Sequence, residues 1–116
     1  MKKKINKNTK TYQKKLARRN DKAMLKGWSI AVKADDYNSC AVCSSTKHLN
    51  AHHILPRERR DTRYDPQNGV ALCALHHQFS RELSAHHNSF AFFVWFMRNR
   101  PEQFKYLKGL VENGGL

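Results

Sequence analysis

The chain has 116 residues, which is enough for one domain, and its formal net charge of +13 points to a polyanionic partner. No segment is long and apolar enough to span a membrane, and no apolar stretch follows the basic residues after Met1, as a secretory signal requires. The composition therefore argues against membrane-embedded and exported proteins, and we expect a reducing cytoplasm as the compartment.

Most of the charge lies in residues 1–33, where ten Lys and two Arg face one acid, Asp21, for a net charge of +11. Basic runs release counterions from a phosphate backbone and bind it without reading the sequence. We therefore predict a nucleic-acid-binding arm and helix over residues 1–33, with a single domain over residues 34–116. A solvated tail that keeps the protein soluble is the alternative. Residues 1–11 lack apolar periodicity and are predicted to be disordered without a partner.

The spacing of apolar residues predicts a helix over residues 12–32, in which Gly27 is a candidate position for a break or a bend. Alternating apolar residues predict a short strand over residues 49–55, and a second strand spans Val70–Leu72. Residues 56–68 between them are charged, contain two prolines and are predicted to form a loop.

The second half of the chain is predicted to be helical. We expect a helix over residues 73–83, a buried helix over the apolar residues 90–97, and a last helix that Pro101 opens and Gly114 and Gly115 end. The order of elements predicts a small α+β fold with flanking helices.

Two cysteine-containing pairs share one spacing, Cys40-Ala-Val-Cys43 and Cys73-Ala-Leu-His76. In a chain without an export signal, this spacing indicates a metal site rather than a disulfide. Two such pairs supply the four ligands of a tetrahedral zinc ion, so we predict a closed, structural zinc site. His48 and His77 are alternatives to His76 as the fourth ligand, and three thiols packed in the core are the alternative to the whole site.

Between and after these pairs lie His52-His53-Ile54, then Asn68, then His76-His77. This run resembles the HNH endonuclease family over about residues 37–87, because a histidine pair ends a strand, an asparagine follows, and a histidine lies on the next helix. The interleaved cysteines add to the resemblance. It implies a ββα-metal finger, in which two short antiparallel strands and a helix hold one divalent cation.

The resemblance also implies roles at matching positions. His53 is the expected general base, because a neutral imidazole with a pKa near about 6.5 accepts a proton at physiological pH. His52 and His77 are the expected ligands of the catalytic cation, and Asn68 fixes the loop that orients the base. The expected cation is Mg²⁺ or Mn²⁺ brought with the DNA, with Ni²⁺ as an alternative, whereas zinc bound there would inhibit.

The implied reaction is hydrolysis of DNA phosphodiester bonds that leaves 5′-phosphate and 3′-hydroxyl ends, in a bacterial or phage-infected cell. His48 and His86 are interpreted as histidines that contact phosphates or cap helices. His87 stays open as a residue that approaches the site, and the sequence does not settle whether His86 or His87 joins it.

Basic residues on the first helix and in the loop between the strands are candidates for DNA backbone contacts, and the loop arginines lie nearer the expected site. These candidates are residues 2–4 together with Lys14, Lys15, Arg18, Arg19, Arg57, Arg59, Arg60 and Arg63. A solvated charged loop is the alternative for the arginines. Nothing resembles a base-reading helix, so we predict weak sequence specificity. Core packing, rather than base stacking, is expected of Trp28, Phe92, Phe93 and Trp95.

Two other functions remain open. A non-catalytic zinc module that binds nucleic acid would keep the cysteines and the basic arm but would not need His53 and Asn68. A subunit of a phage packaging or recombination complex would use exposed apolar residues near the carboxyl end as an interface. A homodimer also stays open, because a double-strand break needs two active sites or two visits.

Overall fold

The computed structural model describes residues 9–114. Its elements in chain order are α1 (Lys10–Asp35), β1 (Asn50–His52), β2 (Val70–Leu72), one π-helical turn (Leu75–Phe79), α2 (Ser89–Asn99) and α3 (Pro101–Asn113). β1 and β2 pair antiparallel, with Asn50 opposite Leu72 and His52 opposite Val70. The prediction of a small α+β fold with two antiparallel strands and flanking helices is confirmed.

α1 is a helix of 26 residues that contacts the rest of the protein mainly near its carboxyl end, where Trp28 and Val32 are buried. The Thr9 side chain caps its start by accepting the backbone N–H of Tyr12. The helix continues through Gly27 without a break, so that predicted break is wrong. An exposed glycine costs a helix only about 1 kcal/mol. The burial of Trp28 and Val32 in the following turns outweighs this cost.

The disorder predicted for residues 1–11 can be compared with the structure only in part. Lys10 and Thr11 belong to α1, so the prediction is wrong for them, because the capping residue lets the helix begin earlier than its apolar pattern. Residues 1–8 lie outside the described residues, and with them the candidate DNA contacts at residues 2–4.

A buried carboxylate joins α1, the sheet and α3. Asp36, which ends α1, accepts the backbone N–H of Ala71 in the middle of β2 at 2.7 Å and the guanidinium of Arg100 at 2.8 Å. The edge of β2 that faces away from β1 is therefore hydrogen-bonded, and the buried charge has a partner.

β1 is shorter than the strand predicted over residues 49–55. Its last residue, His52, pairs with Val70, the first residue of β2, so no strand residue remains to pair with His53. The chain before Val70 cannot extend the ladder, because Gly69 is packed beneath α1. Tertiary packing, which the alternating pattern does not report, therefore ends the strand.

The helix predicted over residues 73–83 is wrong in length and type, since only one π-helical turn forms there. The carbonyl of His76 accepts the N–H of Ala85 at 2.9 Å, and the carbonyl of His77 accepts the N–H of His86 at 3.0 Å. An α-helix would have used both carbonyls within itself, four residues on. A returning loop takes them instead, so the helix stops after one turn.

α2 forms over the apolar segment as predicted, but it is not a buried helix. Phe92 and Phe96 face the core, whereas Phe90 is 78% exposed and Phe93 is 50% exposed. A chain of this size does not have enough structure to cover both faces of a helix.

α3 begins at Pro101 and is capped by Gly114, as predicted, while Gly115 lies outside the described residues. Its residue Leu107 joins a core in which Cys40, Phe92 and Phe96 pack around β2. Among the described helices, none combines the length and the apolar character needed to cross a membrane.

The close approach of α1 to β2 predicts the effect of adding one methyl group. A Cβ at Gly69 would lie 2.6 Å from Cγ2 of Val32 and 2.8 Å from Cζ2 of Trp28. We expect Gly69→Ala to lower the free energy of unfolding by about 1–3 kcal/mol, measured by urea denaturation. Gly27→Ala is the matched control, because nothing lies within 4 Å of its Cβ position, and it should stabilise α1 slightly. Equal stability of the two variants would contradict the packing described here.

Candidate metal centres

The two cysteine-containing pairs lie together, one on a tight turn and the other after β2. Cys40 and Cys73 are buried, Cys43 is exposed and His76 is half-buried. The Sγ atoms of Cys43 and Cys73 are 3.7 Å apart, and Nδ1 of His76 lies 3.8 Å from Sγ of Cys40 and 3.4 Å from Sγ of Cys73. The turn itself is closed by the N–H of Ser44, which donates to the carbonyl of Cys40 at 2.8 Å.

These separations fit a tetrahedral zinc ion. With zinc–sulfur bonds of about 2.3 Å and a zinc–nitrogen bond of about 2.0 Å, two sulfurs lie about 3.8 Å apart and a sulfur and a nitrogen about 3.6 Å. Burial acts to raise the pKa of the Cys40 thiol, but backbone N–H groups of Cys73, Cys43 and Val42 bond its sulfur, and the pKa is lowered on balance. A thiolate, the form that binds zinc, is thereby favoured.

A second cluster consists of three histidines. The ligand nitrogens of His52, His77 and His86 all lie within 4.8 Å of one another, and the Nε2 atoms of His77 and His86 are 3.1 Å apart. His52 ends β1, His77 lies on the π-helical turn and His86 lies on the returning loop. Three imidazoles facing one point can hold a divalent metal ion.

The sequence interpretation assigned only two of these three histidines to a metal and interpreted His86 as a capping or phosphate-contacting residue. The structure instead brings His86 to His77 through the backbone hydrogen bonds that end the π-helical turn. A nine-residue separation matches no helical spacing. Ser80 and Ser84 are the sequence signal for this loop, because serines favour turns over helix interiors. In the structure their side chains form hydrogen bonds within the loop. Neither His48 nor His87 belongs to either cluster.

The lowered pKa values of two histidines in the cluster favour the binding of a cation. Burial, followed by the positive charges of His77, His86 and His53, lowers the pKa of His52 from 6.5 to about 4. Burial and the charge of His86 also lower the pKa of His77. Both imidazoles are therefore neutral at pH 7, with their lone pairs free for a metal ion.

His53 faces away from its neighbour His52 and packs against α1. Its ring stacks on Trp28 with 3.6 Å between centroids and 7° between planes, and its Nε2 lies 2.8 Å from the carbonyl oxygen of Arg63. A carbonyl only accepts, so the proton resides on Nε2 and Nδ1 keeps its lone pair. Burial, the largest effect, and the charges of Arg57 and Arg63 lower the pKa of His53, although the bond to the Arg63 carbonyl acts in the opposite direction.

Trp28 is a contact of His53 that the sequence interpretation missed. The sequence predicts that Trp28 is buried, but it does not predict that the indole stacks on the His53 imidazole. The indole N–H donates to the carbonyl of Asp65 at 2.9 Å, so the ring is fixed in two ways, by the hydrogen bond and by packing. No signal in the local sequence links a helix residue to a histidine 25 positions later.

Asn68 lies beneath the loop that follows His53 and is completely buried. Its Oδ1 accepts the backbone N–H of Leu55 at 2.6 Å, and its Nδ2 donates to the carbonyls of Leu55 and Thr62 at 3.2 and 3.1 Å. One side chain thus joins both ends of the segment between residues 55 and 62.

Two loop arginines are engaged within the protein. Arg59 pairs with Asp61 at 2.7 Å and donates to the carbonyl of Leu110 in α3 at 3.1 Å. Arg63 pairs at 3.0 Å with Asp21 in α1. Both guanidinium groups therefore attach the loop to neighbouring helices.

The other basic candidates are exposed, and some of them lie together. Two of them, Arg18 and Arg60, line a cavity of about 390 Å³ together with Arg63, Asp21 and Tyr64. The exposed basic candidates, on α1 and in the loop, are Lys14, Lys15, Arg18, Arg19, Arg57 and Arg60.

The lowered pKa of His52 predicts its titration. Between about pH 6.5 and 4 the unfolded chain takes up this proton and the folded chain does not, so protonation destabilises the fold as the pH falls through this range. In the NMR spectrum of zinc-loaded protein without other cations, we expect the imidazole C–H signal of His52 to titrate near pH 4. His52→Gln assigns the signal. A midpoint at or above 6.5 would show a solvated ring instead.

Comparison with known proteins gives one finding. Residues 40–85 match the sequence model of a family described as HNH endonuclease, whereas searches of curated proteins and of solved structures found no match. The matched segment contains both cysteine-containing pairs, His52, His53 and Asn68, and it ends one residue before His86. α1, α2 and α3 lie outside it. Over residues 40–85, the chain is therefore similar to the HNH endonuclease family.

Proposed function

We propose that the protein is a metal-dependent DNA endonuclease that hydrolyses phosphodiester bonds with little sequence specificity. The observation that carries this proposal is the pairing of two features at one strand end. His52 joins a cluster of three imidazoles, and the next residue, His53, presents a free Nδ1 lone pair from a fixed ring. A cation site beside a general base is the minimum that metal-assisted hydrolysis requires.

His53 acts as the general base. The carbonyl of Arg63 holds the proton on Nε2, so Nδ1 accepts the proton of an attacking water. Trp28 covers one face of the imidazole and thereby restricts rotation of the His53 side chain to other rotamers. A base that is already held in one orientation and one tautomer loses little conformational entropy when it accepts the proton.

His52 and His77, joined by His86, would hold the catalytic cation. A divalent cation bound there supplies positive charge against the phosphate and the departing oxygen. Imidazole nitrogen is a better ligand for Mn²⁺ and Ni²⁺ than for Mg²⁺, which prefers oxygen. We therefore propose that Mn²⁺ or Ni²⁺ supports cutting at lower concentration than Mg²⁺.

Asn68 acts through the loop and not on the substrate. Its three hydrogen bonds fix residues 55 to 62, and Arg63, whose carbonyl orients His53, follows directly. Asn68 is therefore a positioning residue for the base.

The substrate is gripped by cations on two elements, α1 and the loop after β1. Lys14, Lys15, Arg18 and Arg19 are exposed on α1, and Arg57 and Arg60 are exposed in the loop. Contacts of this kind attach to phosphates in any sequence. The charges of Arg59 and Arg63 strengthen the local field, but their guanidinium groups primarily fix the loop.

The cysteine cluster, we propose, binds a structural zinc ion through Cys40, Cys43, Cys73 and His76. All four positions of a tetrahedron are filled by protein ligands, so no position is open for substrate. Its function is to join the turn at residue 40 to the π-helical turn that carries His77.

The function is tested by nicking of supercoiled plasmid by zinc-loaded protein with added Mg²⁺, Mn²⁺ or Ni²⁺. We expect His53→Ala to lower the nicking rate by at least about 100-fold, because general-base catalysis is lost. His86→Ala should raise the Mn²⁺ concentration for half-maximal nicking by at least about tenfold. His87→Ala is the matched control, because His87 is exposed and belongs to neither cluster.

Two outcomes would contradict this proposal. Folded, zinc-loaded protein that nicks with none of the three cations is a binding module rather than a nuclease. Nicking that survives His53→Ala would show that another group is the base.

The two metal centres are separated by comparing Cys40→Ser with His77→Ala. Because a structural zinc site supplies folding free energy, Cys40→Ser should lose zinc and helical structure, as measured by elemental analysis and circular dichroism. His77→Ala should fold and keep one zinc ion per chain. Equal loss of zinc in both variants would mean that the ligands have been divided wrongly between the centres.

A further inference from the structure

An apolar cavity of about 420 Å³ opens directly beside the histidine cluster. Its walls come from the first turns of α2, from the end of β1 and from the loop before His86. They comprise His52, Ile54, Ala85, Ser89, Phe90, Phe92, Phe93 and Phe96. Among the described residues, the His52 imidazole is the only titratable group that lines the cavity, and His52 is thus shared between the cavity and the candidate cation site.

Aromatic rings dominate this cavity, and two of them are left uncovered. Phe90 is 78% exposed and Phe93 is 50% exposed, although they lie on the same helix as the buried Phe92 and Phe96. Exposure of two phenyl rings to water is unfavourable in free energy. A contiguous apolar patch of this kind marks a binding surface.

The helix that carries these rings is held in place. The Asn88 side chain caps α2 by accepting the N–H of Ala91 at 3.1 Å, and its Nδ2 donates to the carbonyl of Arg81 at 3.1 Å. Phe93 meets Phe104 of α3 edge to face at 5.7 Å, and Phe92 meets His52 in the same way at 5.6 Å. The exposed faces are therefore a preformed surface at a fixed position relative to His52.

We propose that this cavity binds an unpaired nucleobase of the DNA strand being cut, stacked on Phe90 and Phe93. The proposal rests on the proposed nuclease function, since it places the base next to the phosphate that His52 and His77 would face. A nucleobase has an apolar face that stacks on aromatic rings whatever its identity, which agrees with an apolar cavity that offers few hydrogen-bonding groups.

The electrostatics favour a nucleotide over a second copy of this chain. Each copy carries a formal net charge of +13, so a second copy would approach against repulsion, whereas a nucleic-acid strand brings opposite charge. The cavity also shares His52 with the site that would face the scissile phosphate, so one substrate strand can occupy both.

The substrate class follows from base pairing. In a duplex, each base is stacked between its neighbours and cannot reach a side chain without leaving the helix, which costs free energy. Single-stranded DNA, or DNA with a bulge or flap at the cut, presents such a base without this cost. The protein should therefore cut unpaired DNA in preference to duplex.

The test compares three fluorescent DNA substrates of one sequence: single strand, duplex, and duplex with a three-nucleotide bulge. Phe90→Ala should lower kcat/KM on the single strand and the bulge by about tenfold, the loss of one base–aromatic stack, and lower it much less on the duplex. Phe93→Ala should act in the same direction. Phe79→Ala is the matched control, because Phe79 is 66% exposed but does not line the cavity. Circular dichroism checks the fold of each variant.

Binding supplies a readout that does not depend on cutting. In the His53→Ala background without added cation, a single-stranded oligonucleotide containing 2-aminopurine should lose fluorescence on binding, because stacking on a phenyl ring quenches it. Phe90→Ala should remove most of this quenching, and Phe79→Ala should not.

The outcomes separate the two proposals. If the wild type cuts nothing but quenching depends on Phe90, the nuclease proposal fails and the base site stands. If cutting occurs with equal loss on single strand and duplex, or without any effect of either substitution, the base site is wrong. If the substitutions change only the molar mass in sedimentation, the aromatic surface binds a second copy and the base site is likewise wrong.

Discussion

Cys40 and Cys43 approach Cys73 and His76 across the end of the sheet, and this approach determines where the functional histidines point. Neighbouring residues on a helical turn diverge by about 100°. Because His76 faces the cysteines, His77 points to a different side of the turn, where His52 ends β1. The carbonyls of His76 and His77 also accept the N–H groups of Ala85 and His86, so the returning loop fixes the orientation of this turn together with the cysteine cluster.

The segment that matches the family does not form the site without other parts of the chain. α1 contributes Trp28 against the candidate base, Asp36 against β2 and Asp21 against the loop arginine Arg63. α2 contributes the aromatic surface beside His52. The buried side of α1 therefore packs against the loop after β1, while its exposed side carries the basic residues proposed to contact phosphates.

The sequence predicts features that depend on local pattern or on ligand spacing. Such rules predict the bounds of β2, the start of α3 at Pro101 and the juxtaposition of the four candidate zinc ligands. The π-helical turn and the position of His86 do not, because both result from backbone hydrogen bonds between His76, His77 and a loop nine residues away. The sequence also does not predict the exposure of Phe90, because an apolar run of eight residues indicates a buried helix. Which faces of that helix are covered depends on the number of elements that pack against it.

The π-helical turn also limits how the chain can change in length. A π turn contains about one residue more than an α turn, so loss of one residue between Cys73 and Phe79 would tighten it to ordinary helical geometry. His77 would then rotate by about 100° relative to Cys73, and one of the two metal centres would lose a ligand. Insertions and deletions should therefore be excluded from these few positions during evolution, while the exposed amino-terminal turns of α1, which make few tertiary contacts, can lengthen or shorten freely.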